Sequence, residues 1–140
     1  MLNDQWIKWQ PLPNVAKLYT LENFVFGIGK FEIVLADAFD PSKKLQIDFE
    51  YSAFAYRHTK IEFKEKTLEN LRKIHGQDFL DWTFFKVQNS SYAAWLAKQS
   101  CGINSTNDFK HFIFLTQDSI LEVIDSSIGE DLCVLNLRST

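Results

Sequence analysis

Glycine and proline are scarce in this chain, five and three residues in 140, and no run of them interrupts it. Without a Gly/Ser-rich or Pro-rich stretch there is no linker to divide the chain, and without a repeat there is no solenoid. Residues 1–140 therefore read as a single globular domain, of the commonest size for one. Cysteine is scarcer still. Two thiols, Cys101 and Cys133, are too few for a stapled scaffold, and beside a full core they read as small, buried, reduced side chains of a cytosolic protein. The opening MLNDQWIKWQ lacks an uninterrupted apolar run, because Asp4 and Lys8 break it, so neither a secretory leader nor a membrane span is expected there. A cytoplasmic protein follows. Asn89-Ser90-Ser91 and Asn104-Ser105-Thr106 are then chance matches to the glycosylation sequon, which is used only after export.

Positive charge is in deficit too. Fifteen Lys and Arg face eighteen Asp and Glu, a net charge of -3, which argues against nucleic-acid or anionic-membrane partners, since both rest on a basic excess. The balance is uneven along the chain. Between Arg57 and Lys73 six basic residues meet three acidic ones, whereas from Gln117 onward Asp118, Glu122, Asp125, Glu130 and Asp131 face only Arg138. These five acidic residues form the expected partner-binding pole.

The motifs of chemistry are also missing. Gly27-Ile28-Gly29 is the only Gly-x-Gly; Glu32 stands where a dinucleotide fingerprint needs its third glycine, and the segment leads into a strand. There is no Gly-Lys-Ser/Thr. His58, His75 and His111 lie far apart, with no His-x-x-x-His or Cys-x-x-Cys pair to start a metal site. No Gly-x-Ser-x-Gly elbow presents a nucleophile. No catalytic residue, cofactor or metal ion is expected, and the chain is not read as an enzyme.

Aromatic side chains are abundant: thirteen Phe, four Tyr and four Trp, most of them destined for the core. Period-two alternation marks the strands. Over 44–51, Leu45, Ile47, Phe49 and Tyr51 alternate with Gln46, Asp48 and Glu50, which predicts a half-buried antiparallel strand. Residues 30–36 precede it across a turn around Pro41, predicting a hairpin. Further strands are expected over 23–28, 54–57, 82–87, 111–115, 120–124 and 132–137, after an irregular lead-in that packs Trp6 and Trp9 onto the body. Thr67 is placed to cap one helix, with Leu68, Leu71 and Ile74 or His75 on one face and Gly76 as its stop. Ser90 or a neighbour caps a second, carrying Tyr92, Trp95 and Leu96, which Gly102 ends. The expected class is α+β: a single antiparallel or mixed sheet of about six to seven strands with two helices packed on it.

Three stretches carry a resemblance. FEYSAFAYRHT at Phe49–Thr59, WTFFKVQNSSYAAWLAKQSCGI at Trp82–Ile103 and KHFIFLTQDSILEVI at Lys110–Ile124 resemble a group of small Bacillus-type proteins encoded beside polymorphic toxins, some of them immunity proteins. The resemblance implies a cytosolic protein that binds and neutralises a cognate protein toxin. An acidic pole would suit a basic toxin. Two other readings stand beside it: a small-ligand domain with a pocket lined by Tyr51, Tyr56, Phe84, Phe85 and Trp95, and a hydrolase whose site is assembled only by folding.

Overall fold

The computed structural model describes residues 4–49 and 53–126, together with the backbone of 133–137. In chain order its elements are β1 (Gln5–Lys8), β2 (Tyr19–Gly27), β3 (Lys30–Asp37), β4 (Lys44–Asp48), β5 (Ala53–Lys60), helix α1 (Glu65–His75), β6 (Phe84–Gln88), helix α2 (Ser91–Gln99), β7 (Phe109–Leu115), β8 (Ser119–Ser126) and β9 (Cys133–Leu137). The class is α+β. The expected single sheet is instead two antiparallel sheets, one of five strands in the order β1-β6-β7-β8-β5 and one of four in the order β2-β3-β4-β9.

The reason lies in which faces are apolar. In β3 and β4 the inward set Phe31, Ile33, Leu35, Leu45 and Ile47 is buried while the residues between are polar or partly exposed, so this sheet covers one core with one face. Strands β7 and β8 are buried at nearly every position. Such strands must be covered on both sides. Phe84, Phe112, Phe114, Leu121 and Val123 pack against the smaller sheet. Phe85, Val87, Ile113, Leu115 and Ile120 turn the other way, beneath Leu68 and Leu71 of α1. A third, smaller cluster joins Tyr92 and Ala93 of α2 to Ile124. The layers are thus sheet, sheet, helices.

Several local expectations change. The lead-in is in part a strand: β1 pairs antiparallel with β6, Trp6 opposite Val87, which buries the Trp6 indole against Phe85. Helix α1 starts two residues before Thr67, with Lys64 at its N-cap and no side-chain cap, and Ile74 points to solvent. Gly76 does stop it, at φ 101°, where a side chain would be strained. Cys101 is exposed rather than buried, because the chain leaves α2 through a left-handed turn at Cys101 and Gly102; α2 itself ends at Gln99. The expected hairpin is present, with Ala36 opposite Lys44. Tyr51 and Glu50 lie outside the described residues.

Two-sided coverage has a direct test. Phe84 and Phe85 are neighbours in sequence and both fully buried, on opposite faces of the same strand. Phe84→Ala and Phe85→Ala should each cost about 3–5 kcal/mol in urea unfolding. A half-buried strand would leave one of them nearly silent.

Candidate functional site

The densest polar cluster among the described residues is built on the helix-facing side of the larger sheet. In the register of β7 and β8, His111 lies opposite Ile124 and Ile113 opposite Glu122, so His111 and Glu122 are diagonal neighbours on one face. Arg57 of β5 lies directly opposite Glu122. Three polar residues from three strands therefore meet under α2.

Burying a lone carboxylate costs several kcal/mol, and the structure meets that cost with three hydrogen bonds. His111 Nε2 donates to Glu122 Oε1 at 2.9 Å, Arg57 Nη2 donates to the same oxygen at 3.0 Å, and Arg57 Nε donates to Oε2. Burial pushes the Glu122 carboxyl up, but the hydrogen bonds from His111 and Arg57 and the charge of Arg57 outweigh it and hold it down at about 2. On Arg57, burial works against the charge; the bond to Glu122 and its charge prevail and move the guanidinium further up.

The chain of contacts continues into the helix. His111 Nδ1 lies 2.6 Å from Ser90 Oγ, the N-cap of α2, and that oxygen accepts from the Ala93 backbone N–H at 3.0 Å. One tautomer satisfies every group: a proton on Nε2 for Glu122, and a bare Nδ1 accepting from the Ser90 hydroxyl. Asn89, at φ 55°, turns the chain from β6 into this cap; asparagine tolerates that conformation better than most residues. Beside Ser90, the Ser91 N–H donates to Asp4 Oδ1 at 2.7 Å.

Toward solvent the cluster ends in a shelf. The Arg57 guanidinium lies 4.3 Å from the centre of the Tyr92 ring, Tyr92 packs at 6.2 Å on Trp95, and Trp95 is 55% exposed. Arg57, Ser91, Tyr92 and Trp95 surround an open depression of about 400 Å³. Tyr92 itself is buried, and burial raises its phenol.

The acidic residues singled out from sequence do not share one surface. Asp118 is exposed, in the turn between β7 and β8. Glu122 and Asp125 are each only 3% exposed, because β8 is covered on both faces. Glu130 and Asp131 lie outside the described residues. Nor do the residues of the ligand reading converge: Phe84 and Phe85 are on opposite faces, Trp95 is on α2, and Tyr56 packs on Phe24, Phe26 and Phe31 near the free edges of the two sheets. His58 packs against Phe24 and His75 stacks on Phe79. The Ser90–His111–Glu122–Arg57 chain was missed from sequence. Its trace is one His and one Glu set among apolar residues, His111 at the head of HFIFL and Glu122 inside ILEVI.

Comparison with family models, with curated proteins and with solved structures finds no match. No helix among the described residues is long and apolar enough to cross a membrane.

The Glu122 environment fixes a pH dependence. A carboxyl whose folded-state pKa is lowered stabilises the fold fully above its unfolded value, and that contribution drains away as pH falls. The window runs from about 4.5 down to about 2. The stability advantage of the native chain over Glu122→Gln, from urea unfolding, should be constant near neutrality and shrink through that window. A gap of the same size on both sides of pH 4.5 would contradict it.

Proposed function

We propose that the chain is a protein-binding domain that neutralises a cognate toxin in the cytoplasm, and that the Trp95 shelf is part of its interface. One observation carries the choice of surface. Trp, Tyr and Arg are the residue types that dominate binding hot spots, and here the part-exposed Trp95 and Arg57 flank the buried ring of Tyr92, with the arginine pre-organised by Glu122 and that ring. A side chain already locked in place loses little freedom on binding. The toxin as partner rests on the resemblance of 49–59, 82–103 and 110–124 to immunity proteins. The acidic stretch contributes where it is exposed, at Asp118 among the described residues.

Co-purification with a candidate toxin domain, followed by an assay of that toxin's activity, tests the reading. Trp95→Ala should weaken the complex at least about tenfold and reduce protection in step, whereas Phe39→Ala, on the β3–β4 turn, should change neither. Equal complexes from both variants would remove the shelf from the interface; no complex and no protection from the native chain would remove the reading.

A second reading is favoured by the Ser90–His111–Glu122 contacts, which have the connectivity of a nucleophile, a base and an orienting carboxylate. Its chemistry is a serine hydrolase. Against it, Ser90 and His111 are 4% and 3% exposed, and the Ser90 oxygen already caps α2. A hydrolase would react with a fluorophosphonate at Ser90 and lose ester turnover in Ser90→Ala. The binding reading expects no labelling, and a loss of about 1 kcal/mol in stability from the missing cap.

A further inference from the structure

Among the described residues, strand β1 is one edge of the larger sheet and pairs with β6 alone. The Trp9 N–H donates to the Phe84 carbonyl at 3.2 Å, which sets the phase of the ladder. In an antiparallel pair every second residue exchanges both its bonds with the partner strand. Trp9, Ile7 and Gln5 are therefore the bonded set, and Trp6 and Lys8 turn their N–H and C=O groups away from β6. Across from them lies α1. Its Asn70, Leu71 and Ile74 line one wall of an open groove of about 820 Å³, and the consecutive residues Asp4–Ile7 line the other. Consecutive lining residues are what a free backbone edge presents, since side chains on one face would alternate. The wall is apolar where it matters. Ile74 is 74% exposed and Ile7 42%.

The groove is also charged unequally. Lys8 Nζ lies 5.2 Å over the Phe79 ring, and His75 stacks on the same ring at 4.1 Å, so both mark one end; Arg72 and Lys73, in the same last turn of α1, are engaged with Glu65 and Glu69. Asp4, on the Ser91 N–H, marks the other.

We propose that this groove binds an extended segment of a partner polypeptide, which adds to the sheet antiparallel to β1 as a sixth strand. An apolar side chain of the segment rests on Leu71 and Ile74, and an acidic one meets the Lys8–His75 end. Main-chain bonds to Trp6 and Lys8 supply affinity, and the side-chain contacts supply choice. Pairing with the β5 edge of a second copy, which carries Arg57 and Lys60, would bring like charge to Lys8. The inference is independent of the toxin reading and of the Trp95 shelf.

The probe is a phage-displayed library of short random peptides selected on the full chain. Enriched peptides should carry an acidic residue before an alternating apolar stretch, and on binding should slow amide exchange at Trp6 and Lys8. They should bind Ile74→Lys at least about tenfold more weakly, a substitution at an exposed site that leaves the fold intact, and Lys8→Glu should reverse the preference from acidic to basic. No enrichment over the Ile74→Lys surface would overturn the proposal, as would binders that leave both amides unprotected. Self-association that Ile74→Lys abolishes would assign the groove to a second copy and overturn it equally.

Discussion

A carboxylate held inside a sheet that is covered on both faces is the constraint around which the helix side of this molecule is arranged. Glu122 is almost wholly buried, and its charge is held there by Arg57 and His111, which between them donate to both of its oxygens. Each donor is then committed to one position. Arg57 is held over the Tyr92 ring, and His111 has its second nitrogen aimed at the cap of α2. A requirement of burial thereby becomes a requirement on a surface helix.

That matters because α2 has little else to hold it. Its fully buried apolar contribution is Tyr92 and Ala93 against Ile124, whereas α1 sits with Leu68 and Leu71 in a cluster that includes Phe85, Ile113, Leu115 and Ile120. At roughly 25 cal/mol per Å² of apolar area, the smaller cluster stabilises its helix far less. The polar chain adds contacts at the cap of α2 that apolar packing does not supply. Trp95 consequently stands at a defined place on the surface. The binding proposal depends on that definition.

Much of the fold was legible in the residues. Alternation in 44–48 and the turn around Pro41 led to the β3–β4 hairpin, and Ser90 announced the start of α2. The division into two sheets was hidden, because period-two alternation says which residues share a face and not how many layers cover it; only the nearly continuous apolar character of 111–115 and 120–124 hinted at burial on both sides. The same ambiguity misplaced Glu122 and Asp125. Counted along the chain they are acid near acid, a solvated pole; in the register they stand in the middle layer. His111 and Glu122, eleven positions apart and on different strands, come together through pairing alone. No local spacing could announce them.

The central claim is that the Arg57–Glu122–His111 chain anchors α2. Native-state hydrogen exchange on Glu122→Gln, which keeps the side-chain shape while removing the charge, measures this most directly. The account predicts that amides of α2, Ala93 foremost, lose protection while those of β3 and β4 keep theirs. An even loss across both sheets and both helices, or no loss in α2, would contradict it.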